Sequence, residues 1–115
     1  MSVGEVALVH LADRIGEVVA ELRREAVSAV VRHQRLCEEL SQLEAQAALI
    51  EERASRALRR REDTLARRIL AQGISTLKTR DALEGEVLCA RRQVSEILTA
   101  LVQAENRAWD LPAAR

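Results

Sequence analysis

Aromatic side chains are almost missing from this chain of 115 residues: Trp109 stands alone, with no phenylalanine or tyrosine. A compact globule of this size ordinarily fills its centre with several rings, so a single thick core gives way to thin layers of Leu, Ile, Val and Ala. Proline occurs once, at Pro112, and glycine four times, which leaves no Gly/Ser/Pro-rich linker to divide the chain into domains. Net charge is zero, so a general polyanion binder is not indicated. No apolar run approaches the ~18 residues needed to span a bilayer. The two cysteines, Cys37 and Cys89, lie far apart, and the first twenty residues hold Glu5, Asp13 and Glu17 without a basic leader region. That pattern predicts a cytoplasmic protein, at most peripheral to the inner membrane.

What is present is a heptad seam. It reads Leu8, Ala12, Ile15, Val19, Leu22, Ala26, Ala29, His33, Leu36, Leu40, Leu43, Ala47, Ile50, Ala54 and Ala57, in alternating steps of four and three. Such a stripe buries one helix against another. Ser2-Val3-Gly4-Glu5 has the capping-box spacing that starts a helix. A second seam runs from Leu83 through Val87, Ala90, Val94, Ile97, Leu101, Ala104 and Ala108, with Leu70, Ile74 and Leu77 read as leading into it and Arg80-Asp81 as an interruption. Between the seams lies Arg59-Arg60-Arg61-Glu62-Asp63, too charged to bury; this local stretch through Arg68 carries five arginines against two acids.

Two places compete for a reversal: the charged patch near residue 62 and the weak helix formers Gly73-Ile74-Ser75-Thr76. A turn near 62 matches the two seams over most of their lengths, whereas one near 74 leaves roughly the first 35 residues without a partner stripe. The expected fold is therefore all-α, a long antiparallel coiled-coil helical hairpin forming a single domain. Helix one spans about 3–58, the turn about 59–64, helix two about 64–110 with Asp63 as its N-cap, and 111–115 form a short tail after the Leu111-Pro112 stop. Gly16, Gly73 and Gly85 are read as helix glycines costing ~1 kcal/mol each relative to alanine. A three-helix bundle broken near Arg32–Arg35 is the alternative, weakened by the absence of Gly or Pro there. The hairpin register is expected to bring Leu22 near Leu101, Leu36 near Val87 or Ala90, and Ile50 near Leu77.

The run Glu51-Glu52-Arg53-Ala54-Ser55-Arg56-Ala57-Leu58, the charged turn, then Leu65-Ala66-Arg67-Arg68-Ile69-Leu70 and Leu83-Glu84-Gly85-Glu86-Val87 resembles the hairpin of the phage shock protein A family, within the ESCRT-III-like superfamily. The resemblance runs from about Ile15 to about Arg107 and is most specific around residues 51–70. It implies a bacterial protein of envelope or membrane stress whose relatives polymerise, some of them restraining an AAA+ transcriptional activator. The family's N-terminal amphipathic helix has no counterpart before this hairpin, its later helices have none after it, and a tryptophan often found before the turn corresponds to Ile50. The expectation narrows to a hairpin adaptor.

Catalytic, cofactor-binding and metal sites are not expected. His10 and His33 look isolated, Glu38-Glu39 and Glu51-Glu52 diverge by ~100° around a helix, and no phosphate loop, Cys-x-x-Cys or nucleophile motif occurs. Cys37 and Cys89 fall at one height of the hairpin, but their phases point them apart, so no disulfide is expected. The candidate partner-binding residues are Arg59, Arg60, Arg61, Arg67 and Arg68. They read either as a solvated loop or as a contact for an acidic partner or anionic headgroups. Nucleic acid is not expected, since no aromatics interleave the arginines. Apolar side chains beside the seam, among them Val18, Val31, Ile69 and Val102, make the stripe wider than a two-helix contact needs. Val30, Leu49, Leu88 and Leu98 are the candidate self-association residues. The leading reading is a non-enzymatic cytoplasmic assembly or adaptor protein, forming homo-oligomers or binding an AAA+ activator or other helical partner. The alternative is a membrane-surface-binding ESCRT-III-like remodelling protein that uses Val3–Leu22 as an interfacial helix, against which Glu5, Asp13, Glu17 and Glu21 weigh.

Overall fold

A computed structural model describes residues 2–110 as two α-helices, α1 (Val3–Arg59) and α2 (Asp63–Asp110). The chain is an all-α helical hairpin. It divides into two compact units: a terminal unit of Met1–Arg32 with Ala90–Arg115, and a turn unit of His33–Cys89. α1 continues unbroken past Arg32–Arg35, which removes the three-helix alternative. α2 likewise remains helical through Gly73-Ile74-Ser75-Thr76. The expected Leu111-Pro112 stop and the tail lie outside the described residues.

Local chemistry sets the helix ends. The Ser2 hydroxyl accepts from the Glu5 N–H at 3.2 Å while the Glu5 carboxylate accepts from the Ser2 N–H at 3.3 Å, a reciprocal capping box. At the other end of α1, the Glu62 N–H donates to the Ala57 carbonyl at 2.9 Å and the Arg61 N–H to Leu58 at 3.0 Å. This is a Schellman closure, and it needs a left-handed residue at the position after the cap. Arg61 supplies it with φ of 60°. The Glu62 carbonyl then accepts the Ala66 N–H at 3.0 Å, so Glu62 both closes α1 and caps α2. Asp63, expected as the cap, is instead the first helical residue, where its charge still favours the positive end of the helix dipole.

An arginine in the left-handed region costs on the order of 1 kcal/mol that glycine does not. Arg61→Gly is therefore expected to leave stability unchanged or raise it by up to about 1 kcal/mol, while the β-branched Arg61→Val lowers it. Thermal unfolding of the two variants checks this; equal midpoints would show that the turn does not depend on that backbone angle.

In the turn unit, Ala47, Ala54 and Ala57 of α1 and Ala66, Leu83 and Val87 of α2 are buried. Gly73 is buried with them, and Ile50 packs on it: a Cβ built at Gly73 would lie 2.7 Å from Ile50 Cγ2. This corrects the reading of α2. Leu70 and Ile74 are 39% and 48% exposed, and the seam runs instead through Ala66, Ile69, Gly73, Thr76, Arg80, Leu83 and Val87, all buried or half-buried. Its four-three rhythm is unbroken; it passes through small and polar residues that a search for large apolar ones skips. The expected approach of Ile50 to Leu77, to within about a helical turn, is met one turn nearer the reversal, at Gly73. Arg80 does not interrupt the seam. It occupies a seam position, with its head 2.9 Å from Glu51 of α1, so its aliphatic stem can cover the interface while the charge reaches water.

In the terminal unit the buried residues are Val19, Ala26 and Ala29 of α1 with Ala90 of α2, and Val94, Ile97 and Leu101 are half-buried. Arg23 reaches Glu105 across the pair at 3.4 Å. Among the described residues the interhelical ion pairs are Arg23–Glu105 in the terminal unit and Glu51–Arg80 in the turn unit. Exposed pairs of this kind contribute ~0–1 kcal/mol each, and serve register more than stability.

Candidate functional site

The turn is the most charged place in the chain, and the helix ends put it there. Arg59 lies in the last turn of α1, where unpaired carbonyls favour a cation; Arg60 and Arg61 complete the cap, and Arg67 and Arg68 follow within about two turns on α2. All five are exposed, and none appears in an ion pair among the described residues. Arg56, by contrast, is engaged by Glu52 at 2.8 Å. Free guanidinium groups can form paired hydrogen bonds to carboxylate or phosphate oxygens, so the turn can receive an acidic surface.

Arg80 is the guanidinium most tied into the fold. Hydrogen bonds to Glu51, then to Asp81, hold its proton more tightly than an ordinary arginine's, and Glu84 lies 4.0 Å away. Its charge is consumed within the hairpin, unlike those of the turn.

His33 is not isolated. Its Nε2 lies 3.5 Å from the Sγ of Cys37, one helical turn on, and both side chains are half-buried. The signal was legible as His-x-x-x-Cys, since residues four apart share a helix face. Both cysteines are free thiols, with Cys89 exposed. No group of three or more His, Cys, Asp or Glu side chains converges among the described residues.

Among the described residues, two open grooves flank the seam of the terminal unit. One, of about 420 Å³, is lined by Leu11, Ile15, Val18, Leu22 and Ala104 with Arg14 and Arg107. The other, of about 330 Å³, is lined by charged and polar groups including Glu21, Arg24, Glu25, Arg32 and Gln93. Glu21 is already bonded to Arg24 at 2.6 Å.

The candidate self-association residues are all exposed: Val30 and Leu98 in the terminal unit, Leu49 and Leu88 in the turn unit. They belong to a larger set. Eighteen large apolar side chains are exposed among the described residues, while seven of the ten buried core residues are alanine. The helices approach closely over alanine and glycine, and the larger side chains are left outside. Among the described residues no helix is long and apolar enough to cross a membrane. No protein-family model, curated protein or solved structure matches the chain.

Proposed function

We propose that this chain is a non-enzymatic coiled-coil assembly or adaptor protein of the phage shock protein A type, cytoplasmic and acting in bacterial membrane stress through self-association or a helical regulator. The observation that supports this reading is the division of apolar side chains: the fully buried positions are mostly alanine, while eighteen large apolar side chains are exposed among the described residues. A soluble monomer rarely exposes large contiguous apolar patches without a binding role, and burying each leucine or valine fully contributes ~1.5–3 kcal/mol. Three or four such residues suffice to offset the entropy cost of joining two hairpins. The turn arginines provide a separate contact for an acidic surface on the regulator.

Sedimentation equilibrium tests the assembly reading, because mass is independent of shape. The wild-type protein at about 100 μM is expected to exceed the monomer mass, and Leu49→Gln/Leu88→Gln/Leu98→Gln to lower it with helicity retained. A wild-type monomer would remove self-association and leave a hetero-partner for the exposed residues. Flotation with anionic liposomes separates the membrane-surface alternative: an adaptor stays with the soluble fraction.

A further inference from the structure

Beside its buried seam, α2 carries a second set of residues spaced in steps of three and four. In the turn unit the set is Arg67, Leu70, Ile74, Leu77 and Asp81; in the terminal unit it is Arg91, Ser95, Leu98, Val102 and Glu105. Leu70, Ile74, Leu98 and Val102 are exposed, although their spacing is that of a packed coiled-coil seam. We propose that the first patch of one copy docks antiparallel on the second patch of another copy. The proposal rests on the self-association reading above and assigns it a surface and a register.

In one alignment the outer layers match in charge and apolarity, while the middle sets Glu84 opposite Leu88 twice. Setting Ile74 opposite Leu98 places Leu70 opposite Val102, two apolar layers in succession. The same alignment sets Arg67 against Glu105 on one side and Asp81 against Arg91 on the other, with Leu77 over the small Ser95 between. Sliding by one heptad breaks the match in either direction. One shift opposes Ile74 to Arg91 and Asp81 to Glu84; the other opposes Ile74 to Glu105 and Asp81 to Leu98. Parallel, in-register pairing stacks Asp81 on Asp81 and Arg91 on Arg91. Interfaces select their register by such like-charge penalties as much as by attraction.

The acids at the ends of the alignment remain available. Asp81 lies 3.1 Å from Arg80 with its side chain 64% exposed, and Glu105 touches Arg23 at 3.4 Å. Each carboxylate has lone pairs left for a second guanidinium. Arg67 and Arg91 are exposed and appear in no ion pair among the described residues.

Charge exchange tests the register. Asp81→Arg and Arg91→Asp, each alone, place like charges opposite one another and are expected to weaken self-association roughly tenfold or more in sedimentation equilibrium. An equimolar mixture of the two variants restores opposite charges in both reciprocal contacts, as does the double variant Asp81→Arg/Arg91→Asp; both are expected to recover most of the wild-type affinity. Circular dichroism should show unchanged helicity, and Arg91→Asp, which breaks no intrachain ion pair, guards against a folding defect in Asp81→Arg. Unweakened single variants, or no recovery in mixture and double variant, would overturn this surface while leaving self-association standing if the wild type remains oligomeric. A monomeric wild type would overturn both.

Discussion

Leu83→Ala is expected to destabilise the hairpin by about 2–5 kcal/mol, while Arg60→Ala stays within about 0.5 kcal/mol. Leu83 is the one leucine among the buried core residues described; the others are alanines with Val19 and Val87. The gain in helix propensity from Leu to Ala is only a few tenths of a kcal/mol. Leu36 and Leu43 are half-buried, and their truncation should cost less than that of Leu83. Urea denaturation with a common slope measures the difference. Equal losses for Leu83→Ala and Arg60→Ala would show that the seam is not where the hairpin is held together.

Of the four helical glycines, Gly16, Gly73 and Gly85 should respond in opposite directions. Gly16 and Gly85 have open space where a Cβ would go, and Gly16→Ala or Gly85→Ala is expected to raise stability by ~1 kcal/mol through helix propensity. Gly73→Ala meets Ile50 Cγ2 at 2.7 Å, Cδ1 at 2.8 Å and Cγ1 at 3.1 Å. Cδ1 can swing aside, but Cγ2 sits on a branched Cβ whose rotamer is stiff. Overpacking of this kind costs ~1–3 kcal/mol, which outweighs the propensity gain. Gly73→Ala should therefore melt below wild type, and in an Ile50→Ala background, which lacks Cγ2, Cγ1 and Cδ1, the same substitution should cost markedly less. A Gly73→Ala protein as stable as Gly85→Ala would mean that the helices do not approach closely at this layer. The reading of all three as merely tolerated glycines holds in physical terms for Gly16 and Gly85 only.

The all-α hairpin was legible because its signals are local. Ser2 and Glu5 form the capping box their spacing announces, and the Arg59–Asp63 patch cannot continue an apolar seam. The α1 stripe, read as starting at Leu8, leaves Leu8 exposed, but from Ala12 to Ala57 it is regular enough to be read residue by residue, since a period of 3.5 leaves one face to bury. The five turn arginines and Val30, Leu49, Leu88 and Leu98 are all exposed, which their charge and their place beside the seam announce, whereas the His33–Cys37 contact went unread although its i, i+4 spacing was visible.

On α2 the sequence was ambiguous, and packing resolved it. Two heptad sets overlap there one residue apart, and the more apolar one, Leu70, Ile74 and Leu77, looks like the better seam. The hairpin buries Ala66, Gly73 and Arg80 instead, because α1 presents Ala47, Ile50 and Ala54 at that level and small residues allow the closer approach. Periodicity and caps by themselves determined that two helices form and where the chain turns. Which face of α2 turns inward, that Gly73 must be glycine, and that leucines are left outside were decided by tertiary packing, since those depend on the shape of the facing helix and not on any local preference.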